Sequence, residues 1–96
     1  MEEIIKAAWI GIFSDAIYKF FVSVVRSKEY GEDFYSLGVK LQKMSESDLK
    51  IIANKSAEIY IEKLIISGYT EKNIDNIPSD FAEREMRNSI KVAIDS

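Results

Sequence analysis

Residues 9–25 read WIGIFSDAIYKFFVSVV, and only Asp15 and Lys19 carry charge among these seventeen. So apolar a run is a membrane span, a helix of a packed core, or a surface made for a partner, and the choice sets the fold. A helix crossing the hydrocarbon layer needs about 20 predominantly apolar residues. The wider window from Ile4 to Val25 is interrupted by Lys6, Asp15 and Lys19, and each ionised side chain near the bilayer centre costs roughly 2.5–3.5 kcal/mol on the insertion scale. No membrane span is expected. A helix lying on lipid would carry a polar face rich in Lys and Arg, which this chain supplies only in part; a membrane-surface adaptor stands as the alternative to a protein-binding module.

The same run reads well as a helix over residues 2–26. Polar positions recur at Glu2, Lys6, Asp15, Lys19, Ser23 and Arg26, a stripe broken by Ile10, with no alternation and no breaker but Gly11. Asp15 and Lys19 stand four apart in the favourable acid-first order. Arg26 and Lys28 suit a C-terminal turn, and KEYGED (28–33) reads as the connection that follows. The simplest placement is the centre of a bundle, with the other helices wrapped around it. Yet Trp9, Phe13, Tyr18, Phe20 and Phe21 cannot all point one way at 100° per residue, and the other helices are short for wrapping a rod of about 37 Å. Apolar surface should be left over. Trp9, Phe13, Phe20 and Phe21 are therefore the candidate protein-interface residues, for a homo-oligomer or a larger protein partner.

The remaining chain is helical in pattern too. DFYSLGVKLQKM (33–44) carries Phe34, Leu37, Val39, Leu41 and Met44 and permits a short helix across Gly38, although part of it alternates as a strand would. MSESDLKIIANKSAEIYIEKLIISG (44–68) is well punctuated, with Ser45 and Asp48 forming a capping-box-like start and Gly68 at the C′ position. Its polar side runs Lys50, Asn54, Glu58, Glu62, which leaves Leu49, Ile52, Ala53, Ile59, Tyr60 and Leu64 to pack. YTEKNIDNIP (69–78) holds one helical turn opened by Thr70 and stopped by Pro78. Ser79 then caps a last helix whose inner face is Phe81, Ala82, Met86, Ile90 and Ala93. The expected fold is all-α, a compact bundle of about four helices in a single domain spanning residues 1–96.

Composition limits the function. Hydrophobic residues at 47% and charged residues at 30% describe an ordinary globular chain. The sequence has no Cys, which excludes disulfides, thiol catalysis and thiolate metal sites and fits a reducing cytoplasm. It has no His, which removes the commonest general base and the Ser-His and Cys-His nucleophile arrangements. Glu58 and Glu62 share a face, but Lys55 and Lys63 balance them as a solvated surface would. The four glycines are scattered, so no phosphate loop forms and no cofactor is expected. An enzyme is not indicated.

Arg84, Arg87 and Lys91 fall at i, i+3, i+7 on the last helix, and Lys40 and Lys43 pair on the short one. Such a stripe can contact phosphates, and these five are the candidate nucleic-acid-binding residues. The net charge of −3 opposes general affinity for polyanions, so RNA or single-stranded DNA contact would belong to a larger complex that supplies the rest of the positive field. The tail NIPSDFAEREMRNSIKVAIDS (76–96), with the Ile77-Pro78-Ser79 turn leading into a terminal helix, resembles the small helical subunits of type I CRISPR effector complexes. That resemblance implies a non-enzymatic antiviral-defence subunit that packs in several copies in a crRNA-guided complex and helps hold a strand. It also implies backbone contacts from Arg84, Arg87 and Lys91. The expectation from the whole sequence is a cytoplasmic, non-catalytic interaction or assembly subunit.

Overall fold

A computed structural model describes residues 6–27 and 38–95. These form α1 (Lys6–Ser27), a short helical stretch α2 (residues 38–42), α3 (Glu46–Ile66), a single 3-10 turn η1 (Ile74–Asn76) and α4 (Ser79–Asp95). There is no strand among the described residues, and the fold is an all-α bundle. Glu2, the connection at 28–33, the first part of the short helix expected from Asp33 and the side chain of Arg26 lie outside what is described.

The local signals act as chemistry requires. Ser45 caps α3 by accepting the Asp48 backbone N–H at 3.1 Å. At the other end the Gly68 N–H reaches the Ile65 carbonyl and the Tyr69 N–H the Leu64 carbonyl, both at 3.0 Å. That is a Schellman closure, and Gly68 takes the left-handed φ of 91° it demands. The turn after it is tied by the Thr70 N–H donating to Asn73 Oδ1 at 2.6 Å. One expectation changes: the first bond of α4 runs from the Ala82 N–H to the Pro78 carbonyl at 2.9 Å. Ser79 is thus the first residue inside the helix and not its cap, because proline's fixed φ and missing N–H are tolerated at a helix start.

The centre of the bundle is α3, not α1. α3 packs against both α1 and α4, whereas α1 and α4 share little direct packing. The reason lies in its sequence: Leu49, Ala53, Ser56, Ala57, Tyr60, Ile61 and Leu64 are all buried, a band too wide for one neighbour. The small side chains Ala53, Ser56 and Ala57 sit midway and let the flanking helices approach. The Ser56 and Ser89 hydroxyls, buried in this packing, each donate to the carbonyl one turn earlier, Ile52 and Glu85, at 2.7 Å.

Two linked clusters make the core. Toward one end, Ile17 and Phe21 of α1 meet Leu41, Leu49, Ala53, Ala57 and Ile90. Toward the other, Tyr60, Ile61, Leu64 and Ile74 gather Trp9, Phe13, Tyr69, Ile77 and Phe81. Burying each of the larger of these side chains stabilises the fold by about 1.5–3 kcal/mol. α1 therefore contributes Ile10, Phe13, Ile17 and Phe21, spaced 3, 4, 4, and leaves its opposite side bare.

The candidate interaction surface

Because α1 and α4 both lean on α3 without closing on each other, an apolar groove runs between them. Ala16, Ile17 and Phe20 form one wall, Met86 and Ile90 the other, with Glu83 and Arg87 at the edge; the volume is about 290 Å³. Arg87 Nη2 donates to Glu83 Oε1 at 2.9 Å, an i,i+4 pair that holds the guanidinium over the apolar wall at 29% side-chain exposure. Beside the groove, Ala8, Ile12, Ala16 and Phe20 make an exposed row at successive steps of four, Ile12 at 55% and Phe20 at 40%. This exposed aliphatic and aromatic carbon makes the face beside the groove the candidate interaction surface.

The far side of α1 is polar. A shallower hollow there is lined by Gly11, Ser14, Asp15, Tyr18, Lys50 and Asn54. The Tyr18 hydroxyl donates to Glu46 at 3.0 Å, and Lys50 Nζ lies 5.6 Å from the centre of the Tyr18 ring and 3.7 Å from Glu46. Desolvation, then the Glu46 carboxylate, push the Tyr18 phenol above its ordinary range. Asp15 and Lys19 pair at 3.0 Å. The charged and phenolic groups of this hollow, Asp15, Tyr18 and Lys50, already have intramolecular partners, which leaves the apolar groove as the better candidate.

The four aromatic candidates divide. Phe21 is wholly buried in the core and has no surface to offer a partner. Trp9 is half-buried, its indole N–H donating to Glu71 at 2.6 Å, and Phe13 stands edge-on to Tyr60 with ring centres 5.1 Å apart. Both serve the internal packing of α1 on α3. Phe20 faces outward at the groove. Consecutive residues are 100° apart on a helix, so Phe20 and Phe21 cannot share a side, and Ile17 one turn earlier draws Phe21 inward. Ile12 was missed, and the row of four-residue steps from Ala8 to Phe20 was the available signal; Met86 and Ile90, expected on the inner face of the last helix, also wall the groove.

The basic candidates are mostly neutralised within the chain. Arg84 Nε lies 3.6 Å from Glu85, and its guanidinium 5.7 Å from the Phe81 ring centre. Arg87 holds Glu83, and Lys40 Nζ meets Asp95 at 3.0 Å, tying the short helix to the end of α4. Lys43 and Lys91 are exposed and make no ion pair among the described residues. Arg84, Arg87 and Lys91 do share one helix, but two of their three charges are met by carboxylates, which weakens the field a phosphate would feel.

Among the described residues, no helix is long and apolar enough to cross a membrane, and no three acidic side chains converge as metal ligands would. No family model, curated protein or solved structure matches the chain.

Proposed function

We propose that the chain is a non-catalytic interaction subunit whose binding surface is the apolar face between α1 and α4. The observation that carries this is the groove walled by Ala16, Ile17, Phe20, Met86 and Ile90, with Phe20 and Ile12 exposed beside it. Two helices splayed on a third present the shape into which a further helix lays an apolar face. The absence of His and Cys favours a packing role over catalysis, and the lack of Cys favours the cytoplasm as its compartment. A subunit of a crRNA-guided effector is the specific form that the tail's resemblance implies. In that form the groove would serve assembly, and strand contact would fall chiefly to Lys43 and Lys91, the candidates that make no ion pair among the described residues.

The test is affinity capture from an extract of the native cells, with Phe20→Glu compared with Ile66→Glu. Ile66 is 77% exposed at the end of α3, away from the groove. The wild type and Ile66→Glu should retain the same stoichiometric protein component, a second copy of the chain included, and Phe20→Glu should lose it. Equal retention by both variants, or no stoichiometric component at all, contradicts the reading.

A further inference from the structure

We propose that the occupant of the α1–α4 face is a second copy of this chain, placed by a two-fold axis that sets the two α1 helices antiparallel. This rests on the reading of that face as a binding surface and goes further by naming its partner. Two independent patterns on the surface are self-complementary under that operation and under no parallel one.

The first is size. The exposed row on α1 alternates small and large: Ala8, Ile12, Ala16, Phe20. An antiparallel pair centred near Ser14 sets Ile12 against Ala16 of the partner subunit, and Phe20 against Ala8 of the partner subunit. Both contacts occur twice by symmetry, each placing a large side chain over a small one as ridges enter grooves. A parallel pair in register would instead stack Phe20 on its own copy and leave a gap at each alanine.

The second is charge. The N-terminal parts of α1 and α4 (Trp9, Phe13; Phe81, Met86) both pack on Tyr60 and Leu64, while Ile17, Phe21 and Ile90 pack near Leu49, Ala53 and Ala57. α1 and α4 therefore run parallel, so along α4 Glu83 lies toward one end of the groove and Lys91, two turns on, toward the other. Between them lies Arg87, held by Glu83. A two-fold axis through the middle inverts this order and brings the Glu83 end of one subunit onto the lysine end of its partner. Complementary ends fix the register and suppress the parallel arrangement. The interface is isologous, so growth stops at two.

The experiment is sedimentation equilibrium on the full chain up to about 300 µM, a range that covers weak micromolar association. A monomer–dimer equilibrium with no larger species is expected. Phe20→Glu and Ile12→Glu, the latter at a position too exposed to be needed for folding, should each weaken it by about tenfold or more. Glu83→Lys and Lys91→Glu should each weaken it alone, and an equimolar mixture of those two variants should associate more tightly than either by itself, because positions 83 and 91 then again face each other with opposite charges. A monomer at all concentrations, a species that grows beyond two, or a mixture no tighter than its components overturns the proposal. A monomeric chain whose captured partner is still lost with Phe20→Glu would overturn only the second copy, leaving the groove with a different protein in it; with no such loss, both readings fall.

Discussion

At the residue scale, the chain's punctuation has measurable weight. Gly68 has a φ of 91°, and a Cβ built there meets nothing within 4 Å, so the cost of a side chain at this position is conformational alone. Gly68→Ala should destabilise the fold by about 1 kcal/mol, read from chemical denaturation. A neutral result would mean that the Schellman closure does not hold the end of α3. Tyr60 gives a pH signature. Burial, then the neighbouring Tyr69 and Glu85, raise its phenol above the ordinary 10.0. A raised folded-state pKa means that the contribution is complete below pH 10, where both states are protonated. It is lost as pH climbs from there through the folded value, since the unfolded chain ionises first. Tyr60→Phe should therefore flatten the fall in stability above pH 10 relative to wild type, and parallel curves would show that Tyr60 does not titrate against the core.

At the element scale, helices were legible and their neighbours were not. The caps of α3, its polar row Lys50, Asn54, Glu58, Glu62 and the inner face of α4 all follow from spacing, which local chemistry dictates. Periodicity gives the direction of a helix's apolar side but not what covers it. Hence α1, the most apolar helix, was placed at the centre, whereas α3 occupies it because small residues at 53, 56 and 57 let two helices approach at once. The same limit applied to the aromatic candidates. Only the register Ile10, Phe13, Ile17, Phe21 against Gly11, Asp15, Lys19 separates the inward Phe21 from the outward Phe20. Truncating the two tests that separation: Phe21→Ala should cost about 3–5 kcal/mol as a cavity opens in the core, and Phe20→Ala, at the surface, much less. Equal losses by denaturant titration would refute the assigned faces of α1. Among the basic residues, spacing showed the stripe, but the Lys40–Asp95 bridge joins residues 55 apart and is a product of the fold.

At the scale of the whole molecule, α3 is the one long helix packed on two sides among the described residues, and the side between α1 and α4 is left open by them. The groove between α1 and α4 is a consequence of that arrangement, and its apolar walls would be costly to leave in water unless something covers them. The five candidate nucleic-acid residues pull the other way only weakly, with Arg84, Arg87 and Lys40 each beside a carboxylate. Function by packing is the central claim. The most direct measurement is light scattering after size-exclusion chromatography, at low and high salt, with and without a single-stranded oligonucleotide. Association that persists at high salt and leaves the oligonucleotide free is the predicted result. A monomer that takes up the oligonucleotide at low salt and releases it at high salt would contradict the claim and return Arg84, Arg87, Lys91, Lys40 and Lys43 to the centre of the function.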